Sequence, residues 1–178
     1  MIFKLFARKS KTAAVERLYA QIMAAARRPE LFLGRYRVPD SLEGRFDLLT
    51  LHVFAVVRRL QAMPAPAPEL AQALSDWVFL SLDRALREMG VGDLAVPKRM
   101  KKLAADYNGR CSAYEEALAQ GGDALQRALG RNVYGSPQPA EAEALARYML
   151  AVVAALKEAP LAAFQRGEAP FPDPATIV

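Results

Sequence analysis

The chain has 178 residues, of which 53% are hydrophobic and 24% charged, and it carries a formal net charge of +5. That is enough chain for one domain with a core that needs no cross-links, and the composition excludes disorder as the default. A single cysteine, Cys111, and a single histidine, His52, exclude an internal disulfide and the usual structural zinc site.

The basic balance, with a pI near 9.5, points to a polyanionic neighbour such as RNA or acidic lipid. No apolar run reaches the ~18–20 residues of a membrane span. Residues 1–11 mix Ile2, Phe3, Leu5 and Phe6 with Lys4, Arg8, Lys9 and Lys11. They read as a basic, apolar tail, either frayed or a weak interfacial anchor.

The first helix is expected over 11–27, because Val15, Leu18, Tyr19, Ile22, Met23 and Ala26 recur at steps of three and four. Arg28-Pro29 ends it, and residues 29–40 form a loop whose Phe32 and Tyr36 fold back onto the core. A cap at Asp40 or Ser41 starts the second helix, which runs to about Gln61. Its apolar residues, Phe54 among them, surround nearly the whole circumference, which predicts a central position.

After the extended connector Pro64–Pro68, a third helix is expected over 69–89. Its main stripe runs from Leu70 through Trp77, Leu82, Ala85 and Leu86 to Met89, and Gly90 follows as a C-terminal cap. Phe79 and Leu80 fall outside that stripe, as second-layer core or as an exposed surface for a partner. Pro97 suits the first position of a fourth helix, whose stripe runs from Met100 through Tyr107, Cys111 and Tyr114 to Leu118. Gly109 interrupts it at a cost of about 1 kcal/mol against alanine, which a close helix crossing would explain. A short fifth helix over 123–130, a loop over 131–137 and a sixth helix from Pro139 to Glu158 follow, with Pro160 restarting the chain toward Phe164. The expected fold is an all-α, single-domain bundle of about six helices over 12–166, with an extended tail over 167–178.

Catalytic signals are weak. There is no phosphate-binding glycine loop and no paired-histidine motif. His52 and Cys111 sit among apolar residues and read as a satisfied core histidine and a buried, inert thiol. An enzyme would have to use Asp76, Asp83 or His52 gathered in one polar pocket. Asp47 and Asp83 need arginine partners if buried. Arg45, Asp47, Asp83, Arg84, Glu88 and Arg110 read together as a structural ion-pair network, or else as a partner-docking surface. The sharpest charge feature is Lys98, Arg99, Lys101 and Lys102 at a helix start, where positive charge opposes the dipole. It fits contact with RNA phosphate or acidic lipid, or a solvated face neutralised by acids elsewhere in the fold.

Several stretches in fixed order carry a resemblance: Ala26-Arg27-Arg28-Pro29-Glu30-Leu31-Phe32, Val38-Pro39-Asp40-Ser41-Leu42-Glu43-Gly44-Arg45-Phe46-Asp47-Leu48-Leu49-Thr50-Leu51-His52, Leu82-Asp83-Arg84-Ala85-Leu86-Arg87-Glu88-Met89-Gly90-Val91-Gly92-Asp93, Lys98-Arg99-Met100-Lys101, and Gly109-Arg110 before Ala113-Tyr114. Over about residues 12–135 the chain resembles the ubiquinol–cytochrome c chaperone family. Glu43 stands where an aspartate is usual and Asn108 where an aromatic is usual, and residues 136–178 carry no family signature.

The resemblance implies a non-enzymatic assembly chaperone, without metal or cofactor, for the cytochrome b subunit of ubiquinol–cytochrome c reductase. Its implied partners are nascent cytochrome b, the ribosome or a small helical protein, and an acidic membrane surface. Without an Arg/Ser-rich transit peptide, the chain is expected to be a bacterial, cytoplasmic member, peripheral at the inner membrane at most. A client of membrane-spanning helices is apolar when newly made, so the chaperone must present apolar surface. Phe54, Trp77, Phe79 and Leu80 are the expected client contacts, and Lys98, Arg99, Lys101 and Lys102 the docking patch. A general RNA- or acidic-lipid-binding helical module is the competing reading.

Overall fold

The computed structural model describes residues 2–136 and 139–177, with side chains from Thr12 onward. The fold is all-α. The helices are α1 (Ile2–Ala26), α2 (Pro29–Phe32), α3 (Leu42–Gln61), α4 (Ala67–Glu88), α5 (Val96–Gln120), α6 (Ala124–Tyr134), α7 (Ala140–Glu158) and α8 (Leu161–Arg166), followed by a 3-10 turn at Pro174–Thr176.

The central position expected of α3 is where the structure puts it: α3 packs against α1, α4, α5, α6 and α7. Leu48, Leu51, Val53, Val56 and Leu60 are buried around its circumference. Its start is fixed by Ser41, whose Oγ accepts a hydrogen bond from the Gly44 N–H at 3.1 Å. Gly44 is required there, because a Cβ would lie 2.0 Å from the Pro39 carbonyl oxygen. The incoming loop therefore crosses the first turn of α3 at a distance only glycine permits.

Three boundaries differ from the sequence reading. The backbone of α1 continues back to Ile2, although the side chains of the expected 1–11 tail lie outside the described ones. The loop after Pro29 holds a single helical turn, α2, which carries Leu31 inward, and Tyr36 is buried as expected. Helix α6 extends to Tyr134 through the stretch expected to be a loop, since Val133 continues its buried face and Gly135 ends it in the left-handed conformation.

At the end of α4, Gly90 with φ +80° lets the Val91 N–H reach the Leu86 carbonyl at 3.1 Å, the expected glycine stop. Gly109 contradicts its expectation. A Cβ there would meet nothing within 4 Å, so no helix crosses α5 at that point.

The segment after α8 folds back onto the bundle. The Tyr36 hydroxyl donates to the Pro174 carbonyl at 2.8 Å, and the Arg28 guanidinium donates to the Pro172 carbonyl at 2.6 Å. The Phe171 ring stands edge-on to His52, with centroids 5.4 Å apart.

Candidate functional site

An apolar groove of about 340 Å³ opens between α1, α3, α4 and the first turns of α5. Tyr19 and Met23 of α1, Phe46 and Leu49 of α3, Leu82 and Leu86 of α4, and Leu103 of α5 line it. Ser81 and Ala85 line the α4 side as well. These short side chains among longer ones leave volume that no neighbour fills. Leu42 and Met89 stand at the rim, 61% and 59% exposed. Large apolar side chains left in water around an unfilled hollow are the physical mark of a binding surface. Arg27 and Arg45 supply polar edges, and Arg45 is tied to Asp40 at 2.7 Å.

The start of α5 carries a second surface. Lys98, Arg99, Lys101 and Lys102 are all exposed and surround a shallow hollow with Ala95 and Ala105. Among the described residues only Lys102 has an acid close by, Asp106 at 3.9 Å. Helix α5 has no side-chain cap at Ala95 and no acid in its first turn. Its first N–H groups and the four cations therefore add to one positive end.

The buried His52 and Asp47 are bonded rather than poised for chemistry, whereas the Tyr114 hydroxyl and the Arg59 Nε have no hydrogen-bond partner among the described residues. The His52 Nε2 lies 2.8 Å from the Tyr148 hydroxyl, and Nδ1 lies 2.7 Å from the Leu48 carbonyl. That carbonyl can only accept, so Nδ1 carries the proton and Nε2 accepts from Tyr148. Burial pushes the His52 pKa down to about 4, so the ring is neutral at pH 7. Asp47 accepts from Arg110 at 2.6 Å, and the same guanidinium lies 5.6 Å from the Phe46 ring centroid. Burial nonetheless pushes the Asp47 carboxyl up to about 6. Burial also pushes the Cys111 thiol up to about 11, so it is protonated and unreactive at pH 7.

The sequence matches the family model described as ubiquinol-cytochrome C chaperone over residues 35–171. The chain belongs to the ubiquinol–cytochrome c chaperone family. The matched span begins later than the resembling stretches and continues through α7 and α8, where the sequence showed no signature. A crystal structure of the Cbp3 homolog from Brucella abortus is similar across the full length of both chains, with 38% identity and a TM-score of 0.85. A search of curated proteins gives no match. Ubiquinol–cytochrome c chaperones serve assembly of that reductase, and the all-α bundle is thus the scaffold of an assembly chaperone. No helix among the described residues is long and apolar enough to cross a membrane.

Within this chaperone scaffold the residues expected to meet a client are scattered. Phe54 is 6% exposed and packs edge-on against Tyr114 of α5 at 5.8 Å, so it offers no surface. Trp77 and Phe79 are half-buried against the core, with Phe79 edge-on to Tyr107 at 5.4 Å. Leu80 alone is open, at 43% exposure. None of the four lines the groove.

The expected ion-pair network resolves into separate pairs. Arg45 holds Asp40, Arg110 holds Asp47, and Arg87 holds both Asp83 and Asp93. Arg84 and Glu88 form no ion pair, and the Arg84 guanidinium sits 5.9 Å from the Trp77 ring centroid instead. Asp76, Asp83 and His52 form no shared site. Asp76 is exposed and bonded to Gln72, Asp83 is paired with Arg87, and His52 is sealed in the core.

The groove was missed because its lining reads in sequence as ordinary inward stripe. Two signals were available. Ser81 and Ala85 interrupt the bulky spacing of α4, and Leu42 and Met89 stand at helix ends, where no neighbour is guaranteed to cover them.

Proposed function

We propose that this chain is a non-enzymatic assembly chaperone that shelters an apolar helix of newly made cytochrome b, holding it in the groove between α1, α3, α4 and α5. The reading rests on one observation above the others, an unfilled apolar hollow whose rim residues, Leu42 and Met89, are more than half exposed. A monomer gains nothing by leaving leucine and methionine in water, whereas a membrane-helix client loses water from both surfaces on binding. Membership of a family of reductase assembly chaperones supports the choice of client. The basic start of α5 acts as a docking face that keeps the chaperone near a polyanionic surface. Leu80, exposed on the same helix as the half-buried Trp77 and Phe79, lies outside the groove and serves as a secondary contact for the same client.

The test is complementation of a deletion in the native host, read as cytochrome b content of the membranes. Wild type restores it, and Leu42→Asp with Met89→Asp, two changes at exposed positions that leave folding intact, does not. Full restoration by the double variant removes the groove from the reading. Normal cytochrome b in the deletion strain removes the client.

A further inference from the structure

The basic face of α5 carries an apolar companion. Leu94, 99% exposed, lies in the turn that leads into the helix, one helical turn ahead of Lys98. Lys98, Lys101, Lys102 and Ala105 recur at helical spacing, and the Val96 N–H bonds the Gly92 carbonyl at 3.2 Å, which carries the helical winding back through Leu94. Val96 and Tyr107 are buried on the inner face, and Leu103 faces the groove. The one nearby acid of the turn, Asp93, is already paired with Arg87.

A cationic strip could meet RNA or lipid, and two features separate them. An RNA phosphate backbone gives no return for a leucine held fully in water. Single-stranded RNA is gripped by stacking on aromatic side chains, and the α5 strip has none, since its tyrosines Tyr107 and Tyr114 are buried. A bilayer surface uses both components at once: anionic headgroups neutralise the lysines, and the acyl boundary takes the leucine.

We propose that the Lys98–Lys102 face of α5, led by Leu94, lies on the surface of an anionic lipid bilayer with Leu94 entering the boundary between headgroups and acyl chains. The inference deepens the docking half of the proposed function and rests on it. It also explains a locally costly arrangement, because negative headgroups offset both the four cations and the uncapped positive end of the helix.

The test is flotation of the full chain with vesicles of phosphatidylcholine alone and of phosphatidylcholine mixed with phosphatidylglycerol. Wild type floats only with the anionic vesicles. Lys98→Gln and Lys101→Gln each weaken partitioning about fivefold. Leu94→Ser, at a position too exposed to affect folding, weakens it several-fold and leaves the remainder entirely salt-sensitive. Vesicle binding unchanged by all three substitutions overturns the proposal, even if another part of the chain holds the protein on the lipid. So does absence of vesicle binding together with tight binding to ribosomal RNA that Leu94→Ser leaves unchanged. The groove variant Leu42→Asp separates the two readings: it floats like wild type whether or not it supports cytochrome b accumulation.

Discussion

The Nε2 of His52 meets the hydroxyl of Tyr148 at 2.8 Å, across 96 residues of sequence, and joins the central helix α3 to α7. In the neutral ring Nε2 accepts from the tyrosine hydroxyl, and burial among apolar neighbours is what disfavours the protonated ring.

Stability should therefore depend on pH in a defined direction. The His52 pKa is about 4 in the folded protein against 6.5 when free. Between those values the unfolded chain binds the extra proton, so stability is intact above pH 6.5 and is lost as pH falls toward 4. The full loss from this residue is about 3 kcal/mol. Asp47 works the other way. Its folded pKa of about 6 lies above the free value of 3.8, so its contribution is greatest below pH 3.8 and is lost as pH rises through 6. Because the two effects nearly offset each other between pH 7.5 and 4, urea unfolding of wild type should show only a small net decline, which His52→Gln turns into a gain of stability as pH falls. An equal decline in that variant would show that His52 is not the responsible group.

Phe171 shields His52 from the side of the folded-back C-terminal segment. Phe171→Ala should cost about 2 kcal/mol for the lost contacts and raise the His52 pKa from about 4 toward its free value as water reaches the ring. Titration of the imidazole by NMR reads the effect, and an unmoved pKa would mean that the segment contributes nothing to the burial.

Two glycines should respond with opposite sign. Gly44→Ala places a methyl group 2.0 Å from a backbone carbonyl and should destabilise by about 2–3 kcal/mol. Gly109→Ala faces open space inside a helix and should stabilise by about 0.5–1 kcal/mol. Thermal unfolding of both variants checks the pair.

Arg110→Met leaves the Asp47 carboxylate buried without its partner. The cost should be about 3 kcal/mol at pH 8 and smaller at pH 5, where Asp47 takes up a proton and ceases to be a buried charge. A penalty independent of pH would assign the loss to packing against Phe46 instead of to charge.

The sequence made the helices, the Ser41 cap, the Gly90 stop and the sealed environment of His52 legible, because each follows from spacing or local chemistry, whereas Cys111, expected to be buried, is only partly covered. It placed Arg110 among the partners open to Asp47, since a buried acid needs a cation. It could not say which neighbour covers which side of a helix. Phe54 looked like surplus surface until α5 laid Tyr114 over it, and Leu82, Ala85 and Met89 looked like core although α1, α3 and α5 leave a hollow beside them. Gly109 suggested a crossing that does not exist, because a helix tolerates a glycine without structural cause at a cost of about 1 kcal/mol.

The missing methyl of Gly44 sets the gauge of the groove on one side. Pro39 rests where that methyl would be, which locks the start of α3 and with it Leu42 at the mouth. Met23 and Met89 line the same groove, and their unbranched thioethers reshape cheaply. On the proposed reading, a guest would meet one unyielding side and one compliant side. Such a pairing would accept apolar helices of differing contour and reject those too broad for the fixed side.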